Sequence, residues 1–224
     1  DSGNAIGGSR VIQQDKITLT QLGWAIILLY FIGFIISLYI VFGLKLYGLA
    51  PLILFAFFSS LFYVAPPIRY GYHSLGELFV AINMGPIMVV GTYWVIAGKP
   101  SLDAFFVSVP VGLMVASILY YQSLPDINTD EAAGKRTLAV RLGKQGACFV
   151  LILWLTVIYF TIIALVISGL LTWLSLLSLL TVPIFLKLIR IVRSTEDWIL
   201  LDQYGKYVRM LYFFNGIAII LGVV

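Results

Sequence analysis

Seven stretches of this chain run end to end without a Lys, Arg, Asp or Glu: residues 24–42, 49–65, 78–97, 104–124, 147–168, 170–186 and 210–224. A bilayer core of about 30 Å takes about 20 apolar residues in a helix, so these runs match transmembrane helices, the last one short because the chain stops. Strands of a membrane barrel alternate in polarity over about 10 residues, and these runs do not alternate. The expected fold class is therefore all-α: a polytopic transmembrane helical bundle, read as one domain over residues 1–224. Composition agrees. Charged residues make up 11% of the chain and hydrophobic residues 61%, whereas a water-soluble domain carries about 25% charged residues. Pro51, Pro86, Pro110 and Pro183 fall within the runs, where neighbouring helices can compensate the lost backbone bond.

Seven crossings assign each loop to one face. One face holds residues 1–20, 66–77, 125–146 and 187–209, with twelve of the fourteen Lys and Arg residues; the other holds only Lys45 and Lys99. The positive-inside rule predicts that the basic face is cytoplasmic, in a multi-pass protein of the cell membrane. The net charge of +4 does not indicate nucleic acid, because the bases sit in short loops and form no continuous patch. A single cysteine, Cys148, and a single histidine, His73, exclude a disulfide framework and a histidine cluster. The chain opens on the loop-like Asp1-Ser2-Gly3-Asn4 and closes within an apolar run, so both ends read as cut.

The chemistry-bearing residues gather in 122–143. Asp126 and Asp130 are four residues apart, which on a helix puts both carboxylates on one face about one turn apart. Two like charges so placed repel unless a cation lies between them, and oxygen-only ligands suit Mg²⁺, which also accepts substrate phosphates. Lys135, Arg136 and Arg141 follow closely and can hold phosphate oxygens. The bland alternative is equally open on spacing alone: two acids capping a helix and bases anchoring topology.

The run D-x-x-x-D-x-x-A-G-K-R-T-L-A-V-R-L-G over 126–143 resembles the second aspartate-rich motif of the UbiA superfamily of intramembrane prenyltransferases. Two further segments agree. Tyr63-Val-Ala-Pro-Pro-Ile-Arg69, followed by Leu75-Gly76-Glu77-Leu78, looks like the second loop of the menaquinone-type branch. Gly7-Gly8-Ser9-Arg10 is similar to the segment after that family's first aspartate-rich motif. The resemblance implies nine helices, of which seven are visible here, with the first two and most of the first motif lying upstream. It also marks departures: Gln122 stands where the branch has Asn, and His73 where relatives often have Arg.

By resemblance, the reaction is Mg²⁺-dependent transfer from a polyprenyl diphosphate to an aromatic acceptor, most like 1,4-dihydroxy-2-naphthoate. The runner-up acceptor is a glycerol-phosphate lipid, and a lipid carrier is the rival from another class. Asp126 and Asp130 would hold Mg²⁺. Arg69, Lys135, Arg136 and Arg10 would hold the diphosphate, and Tyr63 would face the allylic cation. Asn83 and Gln122 are weaker cavity candidates; Asn83 can equally bond a neighbouring helix. Glu77 reads as an acid at a helix start.

Overall fold

The computed structural model describes residue 12 and residues 14–223; Arg10 and the Gly7-Gly8-Ser9 segment lie outside the described residues. Over its described residues, each of the seven apolar runs is largely helical. The elements are α1 (Leu19–Leu38), α2 (Ala50–Phe62), α3 (Gly76–Ile82), α4 (Met88–Ala97), α5 (Leu102–Ser123), α6 (Ile127–Ala132), α7 (Leu138–Ile167), α8 (Val182–Ser194) and α9 (Gly205–Gly222). A π-helical turn, Asn83–Ile87, joins α3 to α4 around Pro86 and makes one span of them; a 3₁₀ segment, Trp173–Thr181, leads into α8. Among the described residues, five helices are long and apolar enough to cross a membrane, and Tyr47–Phe62 is a shorter apolar helix. The chain is an integral membrane protein.

Local signals set the helix ends. Thr18 and Gln21 form a capping box at α1, Ser101 caps α5 through the Ala104 amide, and Thr137 caps α7 through that of Val140. Each satisfies an amide that the helix itself leaves without a partner. Two predicted loops are more ordered than their polarity suggested. The 125–146 loop contains α6 and the first turns of α7, which breaks direction at Gly143 with φ 63° and ψ 176°. The 187–209 loop is largely taken up by the end of α8, a 3₁₀ turn at Trp198–Tyr204 and the start of α9.

The core lies among α5, α7, α8 and α9, where Met114, Leu151, Ile162, Leu188 and Val208 are almost wholly buried. Helix α5 is the hub, packed by α3, α4, α7 and α9. Its crossing with α3 and the π turn is unusually close. A Cβ at Gly112 would lie 2.2 Å from the Ala81 carbonyl oxygen, and one at Gly85 would lie 2.8 Å from that of Ser108. Small residues at four-residue spacing (Ala81 and Gly85 on one side, Ser108, Gly112 and Ala116 on the other) let the two backbones meet. By contrast, α1 has no buried residue. A hydrocarbon-lined groove of about 780 Å³ separates it from α2, bridged where the Tyr30 and Ser60 hydroxyls meet.

Candidate functional site

The site is built where two loops of the same membrane end dock on each other. Helix α5 ends at Ser123, and Leu124 and Pro125 are buried as the chain turns. Asp126 is the N-terminal cap position of α6, and its carbonyl accepts from the Asp130 amide at 2.8 Å and from Thr129 Oγ1 at 2.9 Å. The two aspartates therefore stand one turn apart, as their spacing predicts. The Asp126 carboxylate makes no capping bond to the helix amides.

Helix α6 closes in a Schellman turn. Gly134 takes a left-handed φ of 73°, its amide donates to the Glu131 carbonyl at 3.0 Å, and the Lys135 amide donates to that of Asp130 at 2.9 Å. This pair of bonds is what glycine just past a helix end makes possible. It also folds the chain back so that Lys135 Nζ meets Asp130 Oδ1 at 3.0 Å. Partial burial acts to lower the Lys135 pKa, but the hydrogen bond to Asp130 and the charges of Asp130 and Asp126 hold it above the usual lysine range. The ammonium is therefore charged at neutral pH. Its added stability is complete below the ordinary lysine range and is lost only as pH rises through the raised value.

Gly134→Ala tests this turn. Open space surrounds the position, so the cost is conformational, about 1–2 kcal/mol for a non-glycine residue in left-handed geometry. Lys135 then loses its place beside Asp130. The expected result is an unfolding temperature in detergent a few degrees below that of the unaltered protein, read by thermal melting.

The second loop arrives from α2. Tyr63 is half-buried, packs edge-on to Tyr70 with centroids 5.4 Å apart, and accepts the Gly71 amide on its carbonyl at 3.0 Å. Its ring lies against Gly71 and Gly76, where a Cβ would come within 3.0 Å and 3.4 Å of it respectively. Arg69 is exposed and holds a left-handed φ of 48°, with its carbonyl accepting the Tyr72 amide at 2.8 Å. Below it, Tyr70 stacks on Phe79 at 4.1 Å and donates to the Ser59 carbonyl, while Asn83 Nδ2 donates to Ser59 Oγ at 2.6 Å and the Phe79 carbonyl at 2.7 Å. This buried chain of polar groups ties the loop to α2 and α3. Asn83 thus bonds a neighbouring helix.

The two loops are joined across more than sixty residues of sequence. The Arg136 amide donates to the Tyr72 carbonyl at 2.9 Å, Ser74 Oγ donates to the Arg136 carbonyl at 2.5 Å, and Lys135 Nζ sits 5.5 Å from the Tyr72 ring centre. Tyr63 lies within electrostatic reach of Lys135, Asp130 and Glu77. Of the sequence candidates, the docking brings Asp126, Asp130, Lys135 and Tyr63 together. Arg136 contributes its main chain, with its side chain exposed. Gln122, one turn before Asp126, is exposed on the last turn of α5. Tyr120 and Tyr121 are fully buried, and their hydroxyls are used structurally, donating to the carbonyls of Ala147 at 3.0 Å and Leu201 at 2.8 Å.

Glu77 stands in the first turn of α3, at the helix start expected of it. Helix α3 starts at Gly76 rather than Leu78, so Glu77 falls inside a candidate span, Gly76–Ala97, and is only 5% exposed. Tyr63 and Tyr120 lie within its electrostatic reach. A buried acid in a membrane span marks function by default; the available signal was an acid directly preceding an apolar run.

Among the described residues no group of three or more His, Cys, Asp or Glu side chains could hold a metal. The donor set here is two carboxylates. Two hard oxygen donors suit Mg²⁺, which keeps several water or phosphate oxygens in its shell rather than requiring an all-protein cage.

The model of the UbiA prenyltransferase family matches residues 3–200. A 1,4-dihydroxy-2-naphthoate octaprenyltransferase of Haemophilus influenzae is 29% identical over 194 residues, covering 84% of this chain and 62% of that protein. A 2-carboxy-1,4-naphthoquinone phytyltransferase of Synechocystis is 32% identical over 168 residues, covering 75% of this chain and 55% of that protein. UbiA prenyltransferase domain-containing protein 1 of Homo sapiens is 31% identical over 198 residues, covering 87% of this chain and 57% of that protein. The chain thus spans less than two thirds of the length of each of these relatives. No solved structure matches.

Proposed function

This chain belongs to the UbiA prenyltransferase family, and from that premise we propose that the protein transfers a polyprenyl group from a prenyl diphosphate to a dihydroxynaphthoate-type acceptor in quinone biosynthesis. The observation that carries the reading is the docking of the 63–77 loop on the 126–137 segment, which gathers acids, a base and an aromatic ring at one membrane end. The names of the bacterial and cyanobacterial relatives support a naphthoate-derived acceptor. The one-sided bases support a cytoplasmic mouth for the site.

In this reading Asp126 and Asp130 hold Mg²⁺, which when bound supplies positive charge to a departing diphosphate. Lys135, fixed by its pairing with Asp130, donates to diphosphate oxygens, and exposed Arg69 and Arg136 add charge at the mouth. Charge arranged in advance in a water-poor site is usually the largest catalytic contribution. Tyr63 presents an aromatic face to positive charge growing on the allylic carbon. The docked loops keep water from that carbon, and the groove between α1 and α2 offers hydrocarbon for an isoprenoid tail.

The test is a transfer assay with the purified full-length protein, radiolabelled polyprenyl diphosphates and a panel of aromatic and glycerol-phosphate acceptors. Labelled product should form with the naphthoate acceptor, vanish on chelation and return with added Mg²⁺. Absence of transfer to every aromatic acceptor would overturn the reading.

A further inference from the structure

A second cavity at the same membrane end belongs to neither loop of the candidate site. It has a volume of about 340 Å³ and lies between the foot of α7 and the end of α8. Lys144 and Arg193 stand at its polar rim, while Cys148, Phe149 and Ile152 line it further along α7. Its position follows from the fold. Gly143 breaks α7, so Lys144 begins the straight part of the helix, and the apolar stretch that spans the bilayer starts three residues later. Arg193 is in the last turn of α8. The cavity therefore crosses the boundary between headgroup and hydrocarbon, with cations on one side of that boundary and apolar side chains on the other.

The rim is organised. Lys144 Nζ donates to the Glu196 carbonyl at 2.9 Å and sits 5.9 Å from the ring centre of Trp198, which is itself 6% exposed. One bond to a neutral carbonyl fixes the ammonium without discharging it and leaves two of its three donors for a ligand. Glu196 and Asp197 lie beside the rim in sequence. Glu196 contributes its main chain to Lys144, and the Asp197 carboxylate accepts the Ile199 amide at 3.1 Å. Neither Lys144 nor Arg193 forms an ion pair with a described residue.

We propose that this cavity binds the phosphodiester headgroup of an anionic membrane lipid between Lys144 and Arg193, with the start of an acyl chain lying along Phe149 and Ile152. Basic pockets between helices at a membrane face recognise lipid phosphates in this way. An apolar floor continuous with the bilayer selects a lipid over a soluble phosphate, which has nothing to place there. The inference does not depend on the proposed chemistry, since the site shares no residue with the acid pair.

The test is native mass spectrometry of the full-length protein, delipidated in detergent and titrated with phosphatidylglycerol, phosphatidylcholine or inorganic phosphate. Phosphatidylglycerol should bind with defined stoichiometry, more tightly than phosphatidylcholine, and millimolar inorganic phosphate should not displace it. The double variant Lys144→Gln/Arg193→Gln should weaken phosphatidylglycerol about 30-fold, at roughly 1 kcal/mol per removed cation, with prenyl transfer in lipid-free detergent unchanged. If the double variant does not fold, each single variant should weaken binding about fivefold. Equal retention of both lipids, unchanged affinity in the variants, or displacement by inorganic phosphate would each overturn the proposal.

Discussion

Asp130→Ala and Asp126→Ala should each lower prenyl transfer by the full-length protein by at least about 10²-fold, the scale set by removing one preorganised electrostatic group from an active site. The reason is chemical rather than structural. The Lys135–Asp130 pair is 23% and 14% exposed on its two sides, and an ion pair with that much solvent contact contributes about 1 kcal/mol or less to stability. The folded population should hardly change, so thermal unfolding in detergent should stay within a few degrees while turnover collapses. Asp130→Ala carries a further effect, because it removes the carboxylate that Lys135 Nζ meets at 3.0 Å. It should raise donor KM as well as lower kcat. Full activity in either variant would sink the assignment of the pair.

Gly112→Val is expected to have the largest effect on the fold. A Cβ there meets a backbone oxygen at 2.2 Å, and a carbonyl within a helix cannot swing aside as a side-chain tip can. Overpacking a well-packed interior costs about 1–3 kcal/mol, and a main-chain clash between two spans belongs at or above the top of that range. The variant should unfold at a markedly lower temperature in detergent and should also lose activity, because the same crossing holds α3, and with it the 63–77 loop, against α5 and the segment that follows it. Gly216→Val is the control: apart from the neighbouring backbone of its own helix, no atom lies within 4 Å of a Cβ at that position. Equal unfolding temperatures for the two variants would refute the account of the crossing.

Much of this architecture was readable from residue order. Among the described residues, each of the five helices long and apolar enough to cross a membrane overlaps one of the uncharged runs, since a charged group in hydrocarbon is costly. The acid pair at four-residue spacing foretells a helical turn, and the structure adds its left-handed end at Gly134. Other features left a fainter trace. Ala81 and Gly85, with Ser108, Gly112 and Ala116, carry the small-residue spacing of a close crossing, but nothing in either segment names its partner. The junction between the two loops left no trace at all, because its longest-range bond joins the Arg136 amide to the Tyr72 carbonyl, groups that almost every residue possesses. For the same reason Arg136 was read by its guanidinium, although the structural bonds it makes are main-chain bonds. Glu77 was read as an acid at a helix start, and it stands in the first turn of α3; its burial, at 5% exposed, left no mark in the sequence.

That main-chain junction has a consequence for how such a protein can diversify. A clasp made of amide and carbonyl survives any substitution that keeps the backbone path and, at 136, the amide hydrogen that proline lacks, so positions 72 and 136 are not tied to one side-chain chemistry by the need to hold the loops together. Selection can vary the side chains around the mouth, and with them the preferred reactants, while the framework stays closed. The Schellman glycine at 134 has no such latitude, and change there alters the framework itself.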